Sequence, residues 1–358
     1  MVSHHFMRRL FSPVLAALLA VVFAAPRLSA DLVWSPGTGW RVEGGALAVL
    51  SGPEGRNALE MMNKARAAEE GHHWHSAVKT YKKVATRYGS SVYAAEALFR
   101  IGLIYQKNKE YFKAFDSYQL MLAQYPNNAK FNQVVAEQYR IASLLLEGAR
   151  PYSWGWLPGF RNRERAVEYF ERIIANAPYS DYAPLSLMNV ARGQRMIGGT
   201  DEAIDALDRM INTYPRSVLT PDAYLKLAQA YASLVTGPYY DQESTRQAVT
   251  YYEDYLILFP GDTGAAEAEK GLAKMKNILA ESKIILADYY FKYRKNYQAA
   301  KVFYNEAITV YPDSPVANRA KVKLAKVDAL LDKNKPAPAG QPKAPDQPKK
   351  KKKWLGLF

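Results

Sequence analysis

Apolar residues recur along this chain at helical spacing, and the pattern itself repeats. Its clearest copy is Ala114, Tyr118 and Met121 followed by Tyr125-Pro126: a small residue, a bulky one four later, an apolar one three after that, then a closing Tyr-Pro. The same tail returns as Ala203, Leu207, Met210 with Tyr214-Pro215, and as Ala300, Tyr304, Ala307 with Tyr311-Pro312. Three looser copies are Ala77, Tyr81, Val84, Gly89; Ala166, Phe170, Ile173, Pro178; and Ala248, Tyr252, Tyr255, Pro260. Residues three and four apart share a helical face, a small residue lets a neighbouring helix approach closely, and proline stops the helix. Six tails therefore predict six helical hairpins.

In the second to fifth units the helix before the tail carries its own signature, such as Leu98, Ile101, Gly102, Tyr105 and, in the fifth, Ala228 with Tyr231. The whole unit resembles the tetratricopeptide repeat of about 34 residues. Such a unit cannot bury its apolar face alone, so stability must come from stacking on its neighbours. The fold class expected is all-α, a tetratricopeptide-repeat-like superhelical solenoid of about six helical hairpins over 57–331. The sixth unit is the least regular. Asp288 stands where a small residue is expected, and the alanine- and lysine-rich stretch 261–283 delays the hairpin. Thr220-Pro221 and Ser314-Pro315 place a capping hydroxyl before a proline at the first helical position.

The ends differ from this body. A basic start at Arg8-Arg9, an apolar run to Ala25 and Leu28-Ser-Ala30 have the three parts of a secretory signal over 1–30, too short for a comfortable membrane span. The stretch 31–56, with Trp34 and Trp40 bracketing Pro and Gly, is expected to be irregular; its tryptophans either cap the first repeat or form a partner-binding arm. Residues 332–358 form a Pro/Lys-rich tail, expected to be disordered, that ends in Lys349, Lys350, Lys351, Lys352 and Lys353, then Trp354 and finally Phe358. These residues are a candidate contact with an anionic membrane surface; the alternative is a merely solvated charged end.

The formal charge of +14 changes the picture little, because the body is nearly balanced and the excess lysine belongs to the tail. A basic stripe expected of a nucleic-acid-binding body is missing, so no nucleic-acid partner is expected. The chain holds no cysteine, which excludes thiol catalysis and thiolate metal sites. His72, His73 and His75 occupy a turn where neighbouring side chains point apart, so they are read as structural, and no metal or cofactor is expected. No phosphate loop, nucleophile elbow or metalloprotease pair is present, so no catalytic residue is assigned and the chain reads as a binding scaffold, not an enzyme. In the third unit the loop 150–164 brings together Tyr152, Trp154, Trp156 and Phe160; these either tuck against the solenoid or line a groove for an extended peptide.

The exported array, the closing residues Arg87-Tyr88-Gly89-Ser90 and Tyr125-Pro-Asn-Asn128, and the long loop before Arg165-Ala-Val-Glu-Tyr-Phe170 together resemble the BamD family of outer-membrane β-barrel assembly factors, over about 57–331. The resemblance implies a periplasmic scaffold peripherally associated with the outer membrane. It implies N-terminal repeats that bind the C-terminal signal of unfolded outer-membrane proteins, and C-terminal repeats that dock on a BamA-like barrel-inserting protein. The family's Arg-Tyr-Pro is matched by Arg87-Tyr88 with Gly89 in place of proline, which implies Arg87 and Tyr88 as substrate contacts. The chain departs from the family in having no cysteine to acylate, so attachment must come from the partner, the tail or an uncleaved signal. The alternative function is a periplasmic repeat coordinator of cell division or peptidoglycan synthesis.

Overall fold

The computed structural model describes residues 31–43 and 53–333. The predicted signal and the tail residues Lys349–Lys353, Trp354 and Phe358 lie outside the described residues. The chain forms two compact units that meet in sequence between Gly199 and Thr200.

The first unit opens with a two-stranded antiparallel hairpin, β1 (Asp31–Ser35) and β2 (Gly39–Glu43). This corrects the irregular segment expected for 31–56: over 31–43 the chain is this hairpin instead. The turn glycines, Gly37 at φ 86° and Gly39 at φ 75°, supply the left-handed backbone that lets the strands reverse. The register then sets Trp34 directly opposite Trp40. Trp40 is buried, and its backbone N–H donates to Asn63 Oδ1 at 2.8 Å. The guanidinium of Arg66 lies 4.3 Å from the Trp34 ring centre, and that of Arg100 lies 5.1 Å from Trp40. The tryptophan pair therefore clasps the start of the helical array.

The helices of the first unit are α1 (Pro53–Glu70), α2 (Trp74–Arg87), α3 (Val92–Lys107), α4 (Tyr111–Gln124), α5 (Phe131–Leu146), α6 (Arg163–Asn176) and α7 (Tyr182–Ile197). A small hairpin, β3 (Tyr152–Ser153) with β4 (Leu157–Pro158), interrupts the sequence between α5 and α6. The second unit holds α8 (Thr200–Thr213), α9 (Thr220–Ser233), α10 (Glu243–Leu258), α11 (Ala265–Lys292), α12 (Tyr297–Val310) and α13 (Pro315–Lys333). The helical character and the hairpin order are those the sequence predicts, with α1 beginning four residues early. α7 ends the first unit and α8 opens the second.

Each predicted tail forms its helix, α2, α4, α6, α8, α10 and α12, and all the small and bulky positions named in them are buried. Tight helix turns explain how the hairpins close. His72, Lys109 and Lys295 adopt left-handed backbone at φ 58°, 60° and 52°, and Gly198 does so at 92°. At all four turns a bond from the residue after the left-handed one reaches back across the helix end: His73 N–H to Ala68 O, Glu110 N–H to Tyr105 O, Gly199 N–H to Gln194 O and Asn296 N–H to Tyr290 O. These bonds satisfy carbonyls that a helix end leaves open.

The tails pack by seating a bulky residue against a glycine of a neighbouring helix, Gly102 of the leading helix α3 for Tyr118 and Gly271 of the following helix α11 for Tyr252. A Cβ added at Gly102 would lie 2.2 Å from the Tyr118 ring, and one at Gly271 would lie 2.4 Å from Tyr252. Buried tyrosine hydroxyls also need acceptors. Tyr81 donates to Glu69 at 2.8 Å, Tyr118 to Gln106 at 2.8 Å and Tyr304 to Asp288 at 2.5 Å.

Asp288 is thus the acceptor for the buried tyrosine of the sixth tail, which explains why a small residue is not needed there. The stretch expected to delay that hairpin is part of its own leading helix: α11 runs unbroken to Lys292 and packs on both α10 and α12. Burial opposes charge on Asp288. Hydrogen bonds from Lys323 and Tyr304, with the charges of Lys323 and Lys292, outweigh it and hold the carboxyl below the usual carboxylate range.

Two stability changes follow from these contacts. Gly102→Ala forces its methyl into the Tyr118 ring and is expected to cost about 1–3 kcal/mol in urea unfolding followed by circular dichroism. Gly261→Ala, whose added Cβ meets nothing within 4 Å, is the control and should shift stability by less than about 0.5 kcal/mol. A depressed carboxylate pKa contributes stability above the unfolded value of about 3.9, and that contribution is lost as pH falls through the folded pKa. Asp288→Asn should therefore lower stability at neutral pH and flatten its fall below about pH 4; an unchanged acid profile would remove Asp288 from the linkage.

Candidate functional groove

Where the faces of helices α2, α3 and α4 meet, a groove of about 1080 Å³ remains open. Its floor is α3, through Leu98, Ile101 and Tyr105. Lys82 and Thr86 of α2 form one wall, and Lys113, Asp116 and Leu120 of α4 form the other. The walls come from the sides of the tail helices that the repeat contact does not use. Ala114 and Tyr118 of α4 point into the core, while Lys113 and Leu120 remain exposed.

The groove has two chemically different ends. At one, the Tyr125 hydroxyl donates to the backbone carbonyl of Gly89 at 2.6 Å, and burial pushes the Tyr125 pKa up. At the other, the half-buried Tyr105 ring lies between two cations, Lys82 Nζ at 5.7 Å and Lys113 Nζ at 5.4 Å from its centre. Lys113 also pairs with the buried carboxylate of Glu110. An apolar floor with cations beside an aromatic ring suits an extended segment that carries apolar side chains and a carboxylate.

The residues named from sequence fall beyond the two ends of this groove. Arg87 and Tyr88 stand next to Gly89; Arg87 is exposed, and its guanidinium lies 5.8 Å from the Tyr88 ring centre. Tyr88 N–H continues the helix by bonding Val84 O, so the pair sits at the terminus of α2.

The four loop aromatics divide. Tyr152 is half-buried; its N–H donates to Lys109 O at 2.8 Å, and the Lys109 ammonium lies 5.2 Å from its ring centre. Trp154, Trp156 and Phe160 are 71%, 69% and 92% exposed, so they are not tucked against the helices. The β3–β4 turn has positive φ at both Trp154, 54°, and Gly155, 76°. Left-handed backbone at a tryptophan is uncommon, and strained turns of this kind cluster at functional sites. Gly155 approaches Glu110 and Asn108, so the hairpin tip adjoins the Lys113 end of the groove.

The structure does not bring Tyr88 together with the tryptophans. The length of α4, about 20 Å at 1.5 Å per residue, separates them. Between them lie the groove residues that sequence reasoning missed: Lys82, Lys113, Asp116 and Leu120. The floor residues Leu98, Ile101 and Tyr105 do carry a signal, as positions of the repeat signature, which points to packing and not to a site. A second, smaller cavity of about 220 Å³ is lined by Arg66, Glu69, His72, Trp74 and Lys107. Its charges are engaged in fold contacts, with Arg66 pairing Glu69 at 2.9 Å and the Lys107 ammonium 4.5 Å from the Trp74 ring centre.

Comparison with known proteins identifies the architecture. A tetratricopeptide repeat model matches residues 96–128, the α3–α4 hairpin and most of the groove. The YfiO model, described as outer membrane lipoprotein, matches residues 159–339, half of the chain. The outer membrane protein assembly factor BamD of Xylella fastidiosa is 26% identical over 201 residues, covering 52% of this chain and 68% of that protein. The BamD of Caulobacter vibrioides is 26% identical over 131 residues, covering 37% of this chain and 43% of that protein. A tetratricopeptide repeat protein from Parabacteroides merdae, whose crystal structure is known, aligns with 76% of this chain and all of its own at 12% identity and a TM-score of 0.30. With half of its length matched by the family model, the chain belongs to the YfiO/BamD family of outer membrane lipoproteins.

Proposed function

We propose that this protein is a non-catalytic scaffold of the outer-membrane β-barrel assembly machinery, acting at the periplasmic face of the outer membrane. The observation that carries the reading is the open groove over α3, in a chain whose relatives are outer membrane protein assembly factors. In this proposal the groove receives an extended segment from the C-terminus of an unfolded outer-membrane protein. Leu98, Ile101 and Leu120 take its apolar side chains, and Lys82 and Lys113 take a carboxylate beside Tyr105. Arg87 and Tyr88 guide the segment at one end. Trp154, Trp156 and Phe160, held outward by the hairpin turn, receive it at the other. The second unit is the proposed dock for a BamA-like barrel-inserting partner.

A fluorescently labelled peptide from a barrel C-terminus, titrated onto the full chain, tests the groove. Tyr105→Ala should weaken binding about tenfold, the scale of a buried aromatic anchor. Lys82→Gln with Lys113→Gln should reduce both affinity and its salt dependence. The pair Arg87→Ala and Tyr88→Ala, at the rim, should weaken binding by about threefold while helical content is retained. Unchanged affinity in a folded Tyr105→Ala protein would exclude the groove as the site. Purification from cross-linked envelopes tests the partner: the barrel-inserting protein is expected, and recovery of septal or cell-wall enzymes in its place would overturn the assignment.

A further inference from the structure

The repeat register gives the groove of the first unit a counterpart in the second. Aligning Ala77 with Ala203, Gly102 with Ala228 and Ala114 with Ala248 superposes the equivalent positions. Lys82 becomes Asp208, Leu98 becomes Tyr224, Tyr105 becomes Tyr231, Ser117 becomes Tyr251, Leu120 becomes Asp254 and Tyr125 becomes Phe259. The side chains of this second face do meet. Tyr231 stacks on Tyr251 with centres 5.5 Å apart and planes at 7°, and Tyr224 lies 6.3 Å from Tyr251 and 5.6 Å from Phe259. The Tyr251 hydroxyl bridges to Asp208 Oδ1 at 3.4 Å.

The counterpart has the opposite charge. All four aromatics and both carboxylates are half-buried. Among the described residues, no lysine or arginine forms an ion pair with Asp208 or Asp254. The negative field is felt by the tyrosines. Burial and Asp208 push Tyr251 up to about 12, and burial with Asp208, Glu243 and Asp201 pushes Tyr231 up. Carboxylates set among tyrosine faces form a receptor for ammonium groups, since each lysine can be held by both a carboxylate and a ring.

We infer that this acidic tyrosine face binds the lysine-rich C-terminal segment of the same chain, with Lys349–Lys353 against Asp208 and Asp254 and Trp354 against the aromatic surface. Charge complementarity selects this occupant, because the run of five lysines is the densest cationic stretch of the sequence. Reach permits it. The segment follows α13, the last helix of the same unit, and the stretch from 334 to 349 spans up to about 55 Å when extended. Five helix-to-helix spacings of about 10 Å separate α13 from α8 at most. Tethering makes a weak contact sufficient, because a short connection raises the effective concentration to the order of mM. The face is therefore covered until a partner or a surface competes for the lysines.

The absence of native cysteine allows a direct test in the full chain. Nitroxide labels at Pro348→Cys, just before the lysines, and at Ile257→Cys, exposed on α10, report the approach of the segment to the face by pulsed electron resonance. A resolved short-distance population is expected at low salt. It should persist when labelled protein is diluted with unlabelled protein, and fall about fivefold or more with Asp208→Asn and Asp254→Asn together. Salt supplies a readout that needs no groove variant: raising ionic strength from about 0.05 to 0.5 M should release the segment in the otherwise native chain. Distances that stay broad and insensitive to salt and to both substitutions would overturn the inference. So would a short distance that vanishes on spin dilution, since that contact joins two copies. Immobilisation of the label only on vesicles containing phosphatidylglycerol, unaffected by the Asp208 and Asp254 substitutions, would assign the lysines to a membrane surface and overturn it as well.

Discussion

The fold depends on one recurring contact, a bulky side chain of each tail helix seated where a neighbouring helix offers a small residue or a hydrogen-bond acceptor. Tyr118 occupies the space that a side chain at Gly102 of the leading helix would fill, and Val167 does the same at Gly193 of the following helix. Close approach gives the ring its burial, but it also removes the hydroxyl from water, so a tyrosine at this position needs a polar partner. Glu69, Gln106 and Asp288 meet that need in three hairpins. Phe170 and Leu207, which have no hydroxyl, occupy the same position in two others and need no such partner.

This contact uses one face of each tail helix and leaves the other unconstrained. Positions next to the seated residues, such as Lys82, Lys113 and Leu120 in the first unit, can vary without disturbing the packing. They decide what the surface recognises. Their freedom explains why repeats that fold identically present different chemistry: cations beside Tyr105 in one unit, carboxylates beside Tyr231 and Tyr251 in the other.

The helical hairpins were legible in the sequence because the seating contact has a fixed spacing and a fixed size pattern. The groove was not, because it gathers residues from three helices whose identities follow no repeat. Two other features were hidden for local reasons. The Trp34–Trp40 hairpin is short and dense in turn formers, so it lacks the alternation that marks a longer strand, and its stability comes from Arg66, Arg100 and Asn63, far along the chain. The continuous helix α11 was obscured by Asp288, a polar residue at an apolar position that becomes intelligible only once its tyrosine and lysine partners are in view. Loop aromatics were recognised as candidates, but only the backbone at Trp154 and Gly155 reveals that the indoles are presented outward.

The two faces also show why a repeat match alone leaves specificity open. A change from Lys82 to the equivalent Asp208 leaves the fold contact untouched and reverses the sign of the ligand that the position can hold. Because burial next to aromatic rings lowers the local dielectric, such a reversal has more effect here than on an open surface. In the proposed reading partner choice rests on the charges flanking Tyr105, Tyr231 and Tyr251, while the seated residues such as Tyr118 and Tyr304 hold the fold.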